Sequence, residues 1–287
     1  MANFGDATLF VVATPIGNLA DMSQRGVEVL RSVQRIFCED TRQSAFLMSH
    51  FGISAPLESL HDHNESQKID RILALLREGQ SVALISDAGT PLISDPGYKV
   101  VQAVTQAKFA VVPVPGACAL IAALSAAGLP TDRFRFEGFL PAKAQARKER
   151  LEALCHQSET ILFYESKHRI LESLQAMQVA FGAGREIVVA RELTKAFETW
   201  YRGSIEEVLQ QLQQDVHQTK GEFVVLVAGF QEAGDDEAQH REEDRVLTLL
   251  LAEVPVKTAA KLASALLQKP KNALYERALA LKAKKDV

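Results

Sequence analysis

The chain has 287 residues, 47% apolar and 24% charged, with a formal net charge of −4 at pH 7. That length and apolar content suit an ordinary soluble globular protein of about two domains. Three widely spaced cysteines, Cys38, Cys118 and Cys155, argue against a disulfide framework or a thiolate zinc site.

No basic leader precedes the first apolar stretch, 9–13, which is too short for a signal-peptide core. The longest nearly apolar stretch, 117–129, contains Ser125 and falls short of the roughly 20 residues that span a bilayer. A cytoplasmic protein without a membrane partner is the expectation.

In chain order, strand-like runs at 9–13, 35–38, 82–85 and 110–114 alternate with amphipathic stretches, the rhythm of a parallel βαβ sheet. Ile69, Ile72, Leu73 and Leu76 share one helical face; Asn64 and Gln67 have capping-box spacing, and Gly79 marks the helix end. This helix leads into strand 82–85, which empties into 86–97, a loop dense in carboxylate, glycine and proline. Ligands of open α/β sheets bind at such strand ends.

After Pro115-Gly116 comes a small-residue helix around 119–127, closed by Gly128 and Pro130, and then a basic stretch at 142–150. Strands follow at 160–164, 186–190 and 222–228, separated by helical patterns near 170–179 and 205–213. Residues 231–244 carry seven acids against Arg241 and read as a linker or exposed connection. Beyond them, 258–267 and 272–281 have helical spacing around Lys269-Pro270-Lys271, a helical hairpin. Eight Lys or Arg against Glu276 and Asp286 in 255–287 fit a nucleic-acid contact or a solvated tail equally well. The organisation expected is an N-terminal α/β lobe over 1–117, a second α/β lobe over 118–232, and an acidic linker with a basic helical module over 233–287.

The loop at 14–19 has one glycine after its strand, and no Gly-Lys-Ser/Thr phosphate loop occurs anywhere, which disfavours a Rossmann dehydrogenase or an NTPase. The loop at 86–97 instead offers Asp87 and Asp95, rigid turns at Pro91 and Pro96, and close backbone approach at Gly89 and Gly97, with no basic residue. That chemistry suits a polar or cationic cofactor such as S-adenosylmethionine. His61 and His63 lack a third ligand at recognisable spacing, so a solvated loop is expected there and no metal. Cys118 has no partner base that would make it a nucleophile.

At these residues the chain closely resembles the ribosomal RNA small subunit methyltransferase I family, among the class III, tetrapyrrole-methylase-like methyltransferases. The resemblance runs through Val12-Ala13-Thr14-Pro15-Ile16-Gly17-Asn18-Leu19, Glu39-Asp40-Thr41-Arg42, 86–97 and Pro113-Val114-Pro115-Gly116. It continues through Phe136-Glu137-Gly138-Phe139-Leu140-Pro141, Phe163-Tyr164-Glu165-Ser166, Ala190-Arg191-Glu192-Leu193-Thr194-Lys195 and the tail 257–282. It implies a homodimer of two-lobed subunits that binds S-adenosylmethionine between the lobes. The implied reaction is methylation of the ribose 2′-oxygen of one decoding-region cytidine in 16S rRNA, within a small-subunit particle.

The resemblance also implies cofactor contacts at Pro15, Gly17, Asn18, Asp87, Ala88, Gly89, Thr90, Pro91, Ile93, Asp95, Ala117, Cys118, Phe163, Tyr164, Ala190 and Arg191. It makes Arg191, Glu192 and Lys195 the catalytic candidates, with Glu192, a Lys195 of depressed pKa, or His168 as the base. Arg42, Lys143, Arg147, Lys148, Arg150, Lys167, His168 and Arg169 are the expected RNA contacts, although helix capping and surface ion pairs explain such residues as well. A tetrapyrrole or cobalamin-precursor methyltransferase would share the cofactor lobes but have little use for the basic stretches. A non-catalytic RNA-binding assembly factor would explain the cations but not the acidic Gly/Pro loop.

Overall fold

The computed structural model describes residues 7–61, 64–231, 235–267 and 269–285, with the backbone alone at 216, 235–242, 280 and 282–285. His63 therefore lies outside the described residues. The chain divides into two compact units, Met1–Gly229 and Phe230–Val287.

In the first unit, β1 (Thr8–Val12), β2 (Arg35–Cys38), β3 (Leu57–Ser59), β4 (Val82–Ile85) and β5 (Ala110–Val114) form an all-parallel sheet in the order β3-β2-β4-β1-β5. Alternate side chains leave opposite faces, so Phe10, Ile36 and Ile85 join one core while Leu9, Phe37 and Leu84 join the other. The first core packs on α1 (Gln24–Ser32) and α2 (Thr41–His50) through Leu30 and Met48. The second packs on α3 (Glu65–Arg77) and α4 (Tyr98–Gln106) through Ile72, Val100 and Val104. Strand β4 is buried along its whole length, as expected where helices cover both faces.

Asn64 is the N-cap of α3, but the expected capping box is absent. Its side chain instead accepts from the His61 N–H (2.9 Å) and donates to the Ser59 carbonyl (3.2 Å), fastening the preceding loop.

A second five-stranded sheet follows: β6 (Phe134–Phe139), β7 (Thr160–Ser166), β8 (Glu186–Arg191), β9 (Thr199–Ser204) and β10 (Glu222–Val227), in the order β6-β7-β10-β8-β9. Only β6 and β7 run parallel. One face carries α5 (Ala119–Ala127), whose Leu120, Ala123, Leu124 and Ala127 pack on Leu162, Val188, Val224 and Leu226. The other carries α6 (Ala144–Leu154), α7 (Ile170–Phe181) and α8 (Ile205–Gln214), with Leu151, Leu174 and Val208 against Phe163, Val189 and Val225.

The second unit is three helices, α9 (Asp235–Glu253), α10 (Val256–Leu267) and α11 (Lys271–Lys285), closed around Val246, Leu247, Ala263, Leu274 and Ala278. The expected hairpin is α10 and α11. The expected linker is not a loop from residue 235 onward; it is the first half of α9, and residues 232–234 lie outside the described residues. Two of the acids that suggested a solvated connection find partners. Glu243 receives Lys269 at 2.7 Å and Asp244 receives Arg277 at 2.7 Å, so α9 is tied to the basic segment that follows. Among the described residues no helix is long and apolar enough to cross a membrane.

Candidate active site

The loops leaving β1 and β4 are locked together before they meet any ligand. Thr14 and Gly89 exchange both backbone hydrogen bonds (2.9 and 3.1 Å), and the Thr14 hydroxyl donates to the Ser86 carbonyl at 3.2 Å. Gly89 sits at φ +84°, a conformation that other residues enter only with strain. The Thr90 hydroxyl then donates to the Ala117 carbonyl at 3.0 Å, joining this loop to the chain just before α5.

These ends open on a cavity of about 880 Å3, within the range typical of small-molecule sites. Asp87, Ala88, Gly89, Thr90, Ile93 and Asp95 line it from the first lobe, and Cys118, Tyr164, Ala190, Glu192 and Lys195 from the second. Four of the six non-glycine residues with positive φ among those described flank it: Leu92 (72°), Ser94 (71°), Glu192 (52°) and Thr194 (66°). Backbone held in such sparsely populated conformations costs of order 1–3 kcal/mol per residue and concentrates at binding and catalytic loops.

The first lobe charges the cavity through carboxylates alone. Burial, Glu39 and Asp87 together push the Asp95 carboxyl up to about 6, against a weaker opposing hydrogen bond from Ser86. Asp87 is anchored, accepting from the Asp40 N–H at 3.0 Å. The lining lysines, Lys167, Lys195 and Lys220, all come from the second lobe, which also lines the cavity with Glu165, Glu192 and Glu222. An acidic first-lobe wall therefore faces a rim of mixed charge. Tyr164 stands at the base of α5, accepting from the Leu120 N–H at 3.2 Å, with Phe136 and Phe139 edge-on to its ring. Burial and the adjacent Cys118 push its hydroxyl up, so it remains neutral.

On the second lobe Lys195 bridges two carboxylates, with Nζ 2.8 Å from Glu192 Oε1 and 2.9 Å from Glu222 Oε2. The Glu222 N–H also donates to Glu192 Oε1 at 3.0 Å. Burial pushes the Glu192 carboxyl up, but Lys195 and this N–H outweigh it and hold the group below the usual range. For Lys195, burial lowers the ammonium pKa but Glu192 and Glu222 raise it further. The expectation of a depressed Lys195 is therefore wrong, because two carboxylates overcome desolvation. Gly221 makes this approach possible: a Cβ there would stand 2.5 Å from Glu192 Oε1.

Several expected site residues lie elsewhere. The Arg191 side chain turns away from the cavity and is 9% exposed. Its guanidinium donates to the carbonyls of Lys220 (2.7 Å), Phe197 (3.1 Å) and His217 (3.3 Å), clamping the loops around β8. Phe163 is fully buried in the core beneath α6 and α7, since its neighbour Tyr164 takes the opposite face of β7. Asn18 caps a short 3-10 turn by accepting from the Ala20 N–H. Pro15 and Gly17 line a second hollow beside the cavity, and Pro91 and Ala117 support the loop without lining it. Gly17 packs closely on the second lobe, where a Cβ would stand 2.5 Å from Lys195 Cγ.

The expected RNA cations scatter. Lys167 and His168 line the cavity and are exposed. Arg169 is turned inward, donating to the carbonyls of Leu140 and Pro141. Arg147 is buried against Glu172 (3.1 Å), which removes it from phosphate reach. Arg150 is paired with Glu137, Lys148 with Glu152 at 3.7 Å, and Lys143 stands exposed at the start of α6. Arg42 is 89% exposed and held by Asp40. Unforeseen contributors are Lys220 and Glu222, which flank Gly221 ahead of β10, and Phe139. A glycine between two charges at the mouth of an apolar strand was their only linear signal.

Against known proteins, the model of the family described as Tetrapyrrole (Corrin/Porphyrin) Methylases matches residues 8–209, and that of the RsmI C-terminal HTH domain matches residues 237–282. Ribosomal RNA small subunit methyltransferase I of Pseudomonas aeruginosa is 54% identical over 272 residues, covering 95% of this chain and 96% of that protein. The protein of the same name from Escherichia coli O157:H7 is 50% identical over 278 residues, covering 97% and 96%. Among solved structures, a uroporphyrin-III-C-methyltransferase from Thermus thermophilus superposes with TM-score 0.55 at 19% identity, covering 77% of this chain and 94% of that one. A cobalt precorrin-4 methyltransferase gives 0.59 at 15%, covering 77% and 95%. At those identities the two structures speak to the fold alone.

Proposed function

The chain belongs to the tetrapyrrole methylase family and, within it, to the ribosomal RNA small subunit methyltransferase I family, and we propose that it methylates the ribose 2′-oxygen of one decoding-region cytidine in 16S rRNA with S-adenosylmethionine as donor. The observation that carries this reading is one cavity in which the acidic loop of the first lobe faces the Glu192–Lys195–Glu222 ion group and the exposed Lys167 of the second. A small tetrapyrrole substrate would have little use for the basic segment 255–287 that closes the chain. We take the working enzyme to be a cytoplasmic homodimer of subunits with lobes 1–117 and 118–232 and a module over 233–287, acting on a small-subunit particle.

The cavity suits this donor. Asp87 and Asp95 would place negative potential beside a sulfonium and an amino group, and no basic residue of the first lobe lines this cavity. Ala88 to Thr90, Ile93 and Cys118 would hold the donor between the two strand ends. When bound, S-adenosylmethionine supplies an electrophilic methyl group on a positively charged sulfur, so neither metal nor covalent intermediate is required.

The chain's own contribution is alignment and removal of one proton. Glu192 Oε1 is occupied by Lys195 and the Glu222 N–H, which leaves Oε2 to accept the proton of the ribose 2′-hydroxyl as that oxygen takes the methyl group. Lys195 stays protonated and positions the carboxylate. Such alignment contributes on the order of 7–11 kcal/mol in favourable systems, and a positioned base about 100- to 10,000-fold. Lys167 and His168, on the rim, would face the RNA backbone.

The test offers methyl-labelled S-adenosylmethionine and unmodified small-subunit rRNA, free and as assembled particles, and maps the product by mass spectrometry. One 2′-O-methylcytidine is expected. No transfer to either form, with donor binding demonstrated, rejects the reading.

A further inference from the structure

A second hollow of about 440 Å3 opens beside the reaction cavity, and the chemistry above leaves it unused. Pro15, Ile16 and Leu19 from the loop after β1 form one side; Gln43, Phe46 and Leu47 of α2 form the other. Phe46 is 68% exposed, although Ser44 and Met48 turn the neighbouring positions of the same helix into the protein. Its place, at a concave site beside Pro15, Ile16 and Leu19, leaves the ring open to a ligand.

Arg42 lies four residues before Phe46 and so on the same helical face. Its guanidinium is fixed, with Nε and Nη2 donating to Asp40 Oδ1 (3.1 Å) and Oδ2 (2.8 Å), yet the side chain is 89% exposed. The Asp40 N–H in turn donates to Asp87 Oδ1, so the start of α2 is bonded to the acidic wall of the reaction cavity. The two hollows share Ile16, Asp87, Ala88, Lys195 and Glu222. The ion group that holds Glu192 therefore stands between them.

We propose that this second hollow is a nucleobase subsite, in which Phe46 stacks an unpaired base of the RNA strand whose ribose lies at the Lys195–Glu222 wall. The inference rests on the RNA-methylation reading and deepens it. Unpaired RNA is recognised by stacking bases on aromatic rings and reading their edges with amides. Gln43, which lines the same hollow, supplies both a donor and an acceptor for a base edge, and Arg42 keeps guanidinium N–H groups beyond its Asp40 pairing that could donate to an adjoining phosphate. Pro15, Ile16, Leu19 and Leu47 beside the open ring of Phe46 suit a flat heterocycle. Five lining residues shared with the reaction cavity make that base a neighbour of the reacting ribose in this proposal.

Phe46→Ala, Phe46→Trp and Gln43→Ala would be compared with the full chain for RNA binding, KM and kcat with small-subunit rRNA, S-adenosylmethionine affinity and mass in solution. Phe46→Ala should weaken RNA binding and raise the RNA KM by about 5- to 100-fold, with donor affinity unchanged, and Phe46→Trp should restore both. Gln43→Ala should raise the RNA KM with little change in kcat. Equal RNA binding by wild type and Phe46→Ala overturns the inference, as does equal loss in the Ala and Trp variants. So does a fall in mass that shows the ring covered by a second copy of the chain. Wild-type protein that transfers no methyl group, while the Phe46 effect on RNA binding persists, would sink the methylation reading and leave the subsite standing.

Discussion

Asp95 is the residue whose environment makes the sharpest statement about its ligand. Burial, Glu39 and Asp87 raise its carboxyl to about 6, so the folded chain holds the proton more tightly than the unfolded chain, whose value is about 3.8. Its stabilising contribution is complete below the unfolded value and lost as pH rises through about 6. A cationic ligand reverses the preference by favouring the ionised form. Donor affinity should therefore rise roughly tenfold between pH 5 and 7, measured by calorimetry, and Asp95→Asn should flatten that dependence. A pH-independent affinity in the wild type would remove Asp95 from the donor site.

Glu192 carries the second prediction at this scale. Its carboxylate is held ionised by Lys195 and the Glu222 N–H against the opposing effect of burial. Glu192→Gln should lower kcat by about 100- to 10,000-fold with donor affinity little changed. Lys195→Met removes the countercharge, so the acid limb of the pH–rate profile should move to higher pH. A profile that stays in place, with only KM altered, would assign Lys195 to RNA contact rather than to positioning.

Among the elements, legibility followed local pattern. Strand β4 was readable because four apolar residues run straight into glycine and proline, and α8 because its apolar residues repeat at helical spacing. Strand β3, three residues long, is too short for any periodicity, and the edge strands β6 and β9 interrupt their alternation with glycine and charge. The acidic stretch of α9 hid its helix because its partners, Lys269 and Arg277, lie about thirty residues away. Site residues behaved similarly. Asp87, Asp95 and Glu192 were visible from strand ends, but the fates of Arg191 and Arg147 depend on carbonyls and a carboxylate that only the fold brings near.

Helix α6 turns that distinction into a prediction. Arg147 is buried; among the described residues its Nε and Nη1 have no hydrogen-bond partner and its one ion-pair partner, Glu172, is largely exposed. Replacing a buried, half-satisfied cation by an apolar side chain of similar length is often neutral or stabilising. Arg147→Met should leave RNA affinity unchanged and stability within about 1 kcal/mol of wild type, or raise it. Lys167→Met, at the cavity rim, should weaken RNA binding and reduce the salt slope by about 0.7–0.9. Equal losses in both variants, measured by salt titration, would show that Arg147 leaves its site to meet the RNA.

For the whole molecule, two α/β lobes and a helical tail were legible from alternation and composition, whereas the use of the tail was not, because its net charge fits solvation as well as binding. The cores separate cleanly. Four hydrophobic clusters lie within Met1–Gly229 and a fifth within the last three helices, so each unit has its own means of staying folded. Of the cations in α10, α11 and the turn between them whose side chains are described, Lys269 and Arg277 are engaged by Glu243 and Asp244, while Lys257, Lys261 and Lys271 are exposed. Charges already matched inside a fold release few counterions from RNA; exposed lysines release about one each. Removing residues 230–287 should therefore leave donor affinity intact, weaken RNA binding at physiological salt, and reduce the slope of log affinity against log salt by roughly 2–3. If affinity falls while the slope is preserved, the helices contact RNA through apolar or base-edge interactions rather than through phosphate. If neither changes, the module's partner is not the RNA.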